Sequence, residues 1–291
     1  MTPPPLVVSR HHEVLALLAD PRLTVISAPR PPFTLTVAWL RGAVGRFTDG
    51  PAHAERRAEA VRILAGLDTR TLREEAFRQA SARPQEAEHL ATEVLAVALG
   101  VRAEDGRQAA RAVTAIAAAY LPAAAPPTSG GPDTRATPSP WARQDTVAAD
   151  DGLVRLSRLL GDPQPQRLAV LAGLLAQACD ATAGLIRNAL AAGAVAGPVE
   201  DLLAETLRHD PPVRTLRRTV TGPGVNGAAQ GTVVLLDVAA ANRDPEVFDD
   251  PGRFRPGRPG EHLTFGAGPR SCPAQEVALA LAAGVVQAVR R

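Results

Sequence analysis

Residues 168–193, LAVLAGLLAQACDATAGLIRNALAAG, are the longest apolar segment of this 291-residue chain. Apolar side chains fall on nearly every face of a helix drawn through them, so the helix must be surrounded by other matter. Lipid is a costly surrounding here. Gln177, Asp180, Arg187 and Asn188 run through its middle, and polar groups in hydrocarbon are expensive. The segment is therefore expected at the centre of a domain, with the rest of the chain wrapped around it. Hydrophobic residues make up 45% of the sequence, which supports a core of that kind. The opening MTPPPLVVSRHHEV lacks a basic stretch followed by an apolar run, so it does not read as a signal peptide. A soluble, cytoplasmic protein is the expectation.

Around the central segment the chain reads as mainly α with a minor β part. LVVSRHHEVLALLADPRL predicts a short strand and an amphipathic helix ended at Asp20-Pro21. Residues 22–49 are rich in proline and glycine and read as irregular. Helices are expected from Pro51, over 84–99, over 105–120 and over 146–160. Residues 122–140, PAAAPPTSGGPDTRATPSP, have neither period and read as a flexible connector inside one domain spanning 1–291. GPVEDLLAETLRHDPP is a helix stopped by Pro211-Pro212, and residues 213–238 alternate as strands do. Residues 241–261 are without obvious secondary structure, and a last helix starts near Pro273. The 32 basic and 30 acidic residues give a net charge of +2, no footprint for nucleic acid or an anionic membrane. Aromatics at 3% argue against base stacking.

The chemistry concentrates in HLTFGAGPRSCPAQE, residues 262–276, which holds one of only two cysteines. A cysteine just before a helix has several readings. It can be a small buried hydrophobe, a redox thiol, or a metal ligand whose thiolate is favoured by the helix dipole and by amide donors. Clustered zinc ligands are absent from the sequence around it. For a single axial ligand to a flat macrocycle, Gly266 and Gly268 would allow a tight turn and close approach. Arg270 would meet a carboxylate of the ring.

The wider pattern decides among these. FGAGPRSC resembles the haem-binding signature of the cytochrome P450 superfamily, with Phe265, Gly268, Arg270 and Cys272 matching and Ala274 standing where a glycine is usual. ETLR resembles the family's E-x-x-R element (Glu205, Arg208), followed by a strand and a proline-rich meander in the family's order. HAERR matches an H-x-x-x-R pattern (His53, Arg57). The resemblance runs from about residue 6 to residue 285. It implies a cytochrome P450-like fold in shortened form, haem b (iron protoporphyrin IX) as cofactor, Cys272 as iron ligand, and Phe265, Gly266, Ala274 and Ala178 beside the ring. It implies propionate contacts from His53, Arg57, Arg218 and Arg270, and a structural role for Glu205 and Arg208. It also implies a small-molecule substrate and a ferredoxin-type electron donor.

The chain departs from the family at the central helix, where an acid and a threonine usually stand together. Asp180 keeps the acid, Ala181 replaces the first threonine and Thr182 keeps the second. Elements usual before LVVSR, across 122–140 and after the last helix are missing or abbreviated, so a more open distal site is expected. Three functions follow from the resemblance. The leading one is a monooxygenase-type oxidoreductase. The second is a haem-thiolate enzyme using peroxide or catalysing a rearrangement, dehydration or cyclisation. The third is a non-catalytic P450-like partner protein. Cys179 reads as a buried core thiol.

Overall fold

The computed structural model describes residues 5–121, 146–193, 196–225 and 227–291. The expected connector at 122–140 lies outside them. In chain order the elements are β1 (Leu6–Val8), α1 (His11–Ala19), β2 (Leu23–Thr24), α2 (Val37–Ala43), α3 (Gly50–Ala65), α4 (Thr69–Ala82), α5 (Ala87–Ala98), α6 (Gly106–Tyr120), α7 (Val147–Leu159), α8 (Pro165–Ala191) and α9 (Val199–His209). There follow β3 (Thr215–Val220), β4 (Val233–Asp237), α10 (Val238–Ala241) and α11 (Gln275–Val289). The chain is mainly α with one small mixed sheet, as expected.

Helix α8 is the long apolar segment, begun three residues earlier than the apolar run by Pro165, whose missing N–H costs nothing in a first turn. By length and composition it is able to cross a membrane, yet 61% of its most apolar window is buried inside the protein. Leu168, Leu171, Leu175, Leu185 and Ile186 enter the main core, against α5, α6, α9 and α11. Helices α4 and α11 pack closely through small residues. A Cβ added at Gly284 would lie 2.3 Å from Arg73 O, so only a glycine permits that backbone approach.

Three helices were not legible: α2, α4 and the four-residue α10. Residues 22–49 are not wholly irregular: α2 lies within them, with Thr36 Oγ1 accepting from the Trp39 amide at 3.3 Å. Its stability is tertiary. Arg41, 3% exposed, donates to Ala119 O and Tyr120 O, two carbonyls at the end of α6, and Asp150 Oδ1 accepts from the Val37 amide at 2.7 Å. Helix α4 buries only Leu72, Ala76 and Ala80 and otherwise shows polar residues, so its apolar period is weak.

The sheet has the order β1-β4-β3-β2, with β1 parallel to β4 and the other pairs antiparallel. Its inward residues Val8, Leu23, Val220, Val234 and Leu236 meet Val14, Leu17 and Leu18 of α1 in a second, smaller core. The Thr215↔Asp237 register places Arg217 and Arg218 in mid-strand.

Candidate functional site

The long stretch between α10 and α11 has no α-helix or strand, only a short 3-10 turn at Gly268–Arg270, yet it is anchored at its centre. Glu205 and Arg208, one helical turn apart on α9, are 3% and 2% exposed and form a two-bond ion pair at 2.7 and 2.8 Å. Arg208 also donates to Asn242 O, Pro251 O and Arg253 O, and Glu205 accepts from the Arg255 amide at 2.7 Å. Burial by itself would raise the Glu205 carboxyl. Arg208, the Arg255 amide and Arg258 outweigh it and hold the group below the usual range. The pair thus replaces the hydrogen bonds that a sheet or helix would have given this segment.

Asn242 carries the same order forward. Fully buried, it donates to Leu207 O and Thr264 Oγ1 and accepts from the Leu263 amide at 2.7 Å. Thr264 Oγ1 in turn donates to Leu207 O at 2.6 Å. The loop that follows closes on itself: Gly266 N donates to Leu263 O, Ser271 N to Gly268 O, and Cys272 N to Phe265 O at 2.7 Å. Gly266 and Gly268 sit at φ +69° and +66°, the left-handed region that this closure needs. Cys272 is half-buried, three residues before α11.

The electrostatics of the thiol correct the sequence reading. Burial pushes the Cys272 thiol up, and the Ala274 amide, Arg46 and Arg57 pull it back only in part. The expected depression by the helix start is therefore too small to win without a metal. Arg46 and Arg57 act on the thiol, and His53, Arg218 and Arg270 join them in one electrostatic cluster. Arg270 pairs with Asp49 and donates to Thr48 O at 2.7 Å. Arg218, 8% exposed, is held down to about 10 by burial and by Arg270 and Arg46, against the opposing pull of Asp49. His53 is lowered by burial, Arg270 and Arg57, again opposed by Asp49. Several cations thus face one carboxylate, and a buried cation without a partner is costly. The cluster fits a ligand carrying more than one negative charge beside a soft metal bound by the thiol, the combination that haem presents.

On α8, Ala178 and Ala181 are half-buried and lie one turn apart. Asp180 is exposed, while Thr182 is 3% exposed and turned into the core. Ala178, Phe265 and Ala274 all border the main core without being fully enclosed by it. Cys179 is buried, 3.8 Å from Thr114 Oγ1, and burial pushes its thiol up, as for an inert core cysteine.

Residues 199–281, from α9 through the cysteine loop into α11, match the family model for cytochrome P450. Over these residues the chain is similar to the cytochrome P450 superfamily. Among curated relatives it is 37% identical over 137 residues to Protein DesVIII of Streptomyces venezuelae, covering 42% of this chain and 33% of that protein. It is 44% identical over 72 residues to Cytochrome P450 119 of Sulfurisphaera tokodaii, covering 23% of this chain and 20% of that one. These alignments span a third or less of the relatives' own lengths. In fold it is similar to P450BioI solved in complex with hexadec-9Z-enoic acid ligated acyl carrier protein. That likeness has a TM-score of 0.72 and 20% identity, and covers 98% of this chain and 84% of the other.

Within this cytochrome P450 fold, the sequence-predicted residues His53, Arg57, Arg218, Arg270, Phe265, Gly266, Cys272 and Ala274 come together from α3, β3 and the cysteine loop. Arg57 and Arg270, however, already have partners in the protein, Ser271 for the first and Asp49 with Thr48 for the second. Sequence reasoning missed Asn242 and Thr264, the struts of the loop, and Arg46 with Asp49, which belong to the cluster. Arg46 and Asp49 come from the stretch read as irregular. A buried asparagine leaves no periodic mark in a sequence.

Proposed function

We propose that this protein is a haem-thiolate oxidoreductase of the monooxygenase type. It oxidises a small organic molecule of specialised metabolism, in solution in the cytoplasm, with electrons from a ferredoxin-type donor. The observation that carries the reading is the half-buried Cys272 thiol set in a loop of fixed geometry, beside cations that outnumber the carboxylates facing them. Haem b, when bound, supplies the oxidising chemistry. The protein's part is divided among its residues. Cys272 provides the soft ligand, and the Ala274 amide and nearby arginines favour its thiolate form. Asn242 and Thr264 hold the loop against the end of α9. Ala178 and Ala181 leave room along α8, and Asp180 is a solvent-linked acid at the same level of the helix. The substrate lies against α8, residues 27–49 and Val213 to Leu216.

The test is a difference spectrum of the reduced protein with and without carbon monoxide, followed by a screen for substrate-induced spectral shifts. The thiolate-type red shift is expected, and Cys272→Ala should abolish it. A histidine-type spectrum would defeat the assignment of Cys272. Protein purified without haem, and unable to take it up, would turn the reading to a P450-like partner protein. One observation favours a second chemistry on the same cofactor, with peroxide or without redox turnover. Ala181 offers no hydroxyl on its face of α8, and Thr182 turns its own into the core.

A further inference from the structure

The cations near Cys272 divide into those already engaged by the protein and those that are not. Arg57 Nη1 donates to Ser271 O at 2.8 Å, and Nη2 donates to Ser271 Oγ at 3.3 Å. Ser271 O belongs to the peptide group whose N–H is that of Cys272, and this N–H donates to Phe265 O at 2.7 Å. The peptide leading into the cysteine is therefore gripped at both ends, its oxygen by Arg57 and its nitrogen by the loop. Arg270 is taken by Asp49 and Thr48. Arg218 makes one hydrogen bond, Nη1 to Arg217 O at 2.9 Å, and no ion pair with any described residue.

Arg46 stands in the short turn Gly45–Phe47, directly before the Thr48 and Asp49 that Arg270 binds. Its guanidinium lies 5.9 Å from the Phe47 ring centroid, and it forms no hydrogen bond or ion pair with a described residue. Its charge reaches both Arg218 and Cys272. Two arginines with donors to spare, the buried Arg218 of β3 and the exposed Arg46 of this turn, thus add their charge to the same neighbourhood.

We propose, on the haem-thiolate reading above, that Arg57 is a positioning residue for the Cys272 peptide and that Arg46, outside the family's signature elements, joins Arg218 as the pair of cations for the cofactor's carboxylates. The two halves of the proposal move different observables. Losing Arg57 frees the carbonyl before Cys272 and removes a positive charge beside the thiolate. The ligand signature should change, and the reduction potential should fall. Losing Arg46 removes a charge-assisted contact to a carboxylate, so retention of haem should change and the ligand signature should not.

The experiment uses the haem-loaded full chain and its Arg46→Gln, Arg46→Lys, Arg57→Gln and Arg57→Lys variants. Three quantities are read: the rate of haem transfer to an excess of apomyoglobin, the carbon monoxide spectrum of the reduced protein, and the reduction potential. Arg46→Gln is expected to release haem about tenfold faster or more with an unchanged thiolate-type spectrum, and Arg46→Lys to restore part of the retention. Arg57→Gln is expected to lower the potential and raise the fraction lacking the thiolate-type band. Its haem release should change less than that of Arg46→Gln, and Arg57→Lys should recover part of the spectrum. Arg46→Gln that holds haem as the parent does, or Arg57→Gln that only speeds haem release with spectrum and potential unmoved, would overturn the proposal and leave the haem-thiolate reading standing. A parent protein that never shows the thiolate-type spectrum overturns both.

Discussion

Replacing Glu205 by alanine is expected to destabilise the whole domain rather than slow its chemistry. The substitution leaves Arg208, 2% exposed, with three backbone carbonyls but no counter-charge, and Arg258 loses the carboxylate 3.6 Å from its Nε. Removing one partner of a buried ion pair costs about 3–5 kcal/mol. Domains are stable by only about 5–15 kcal/mol, so from about a fifth to all of the margin should go. The Arg255 amide also loses its acceptor, which adds to the cost. Urea melts of the haem-loaded protein should show a lower midpoint with an unchanged slope, and purified protein should carry less haem per chain. Glu205→Gln keeps the shape and an acceptor for the Arg255 amide while removing the charge, so it should retain most of the defect. A Glu205→Ala protein with the parent's midpoint and full haem, impaired only in turnover, would refute the reasoning and give Glu205 a catalytic part.

The same pair sets an acid limit. Because Glu205 is held below its ordinary 4.5 in the folded protein, its contribution is present above that value and lost as pH falls through the folded pKa. Acid unfolding should therefore be less steep in Glu205→Gln than in the parent, as followed by circular dichroism. Gly284→Ala pushes a methyl group toward Arg73 O in the α4–α11 contact and should cost about 1–3 kcal/mol, read as a lowered thermal midpoint. Asn242→Leu removes the struts of the cysteine loop at nearly equal volume. It should lower haem retention, with the loss visible in the ratio of haem absorbance to protein absorbance. Ala181→Thr places a hydroxyl on the half-buried face of α8. It should raise the share of reducing equivalents that end in product on substrates without a polar group, whereas tight coupling in the unmodified protein would show another route for protons.

Much of this molecule is local in origin. The all-round apolar run of α8 demands burial wherever the chain goes, and a cysteine behind Phe265, two glycines and an arginine carries its loop with it. The i, i+3 spacing of Glu205 and Arg208 is likewise a property of one helix. What could not be read locally was whatever rests on distant partners. Helix α2 is a helix because Arg41 finds the end of α6 and Asp150 finds the Val37 amide. Helix α4 exists because Gly284 lets α11 come within contact of it. Arg57 sits in a recognisable pattern, but its partner lies 214 residues away, and only folding puts its donors on Ser271. The thiol shows the same division. Its position before a helix argues for a lowered pKa, and the fold reverses the sign, because desolvation depends on what surrounds a group and not on what precedes it in the chain.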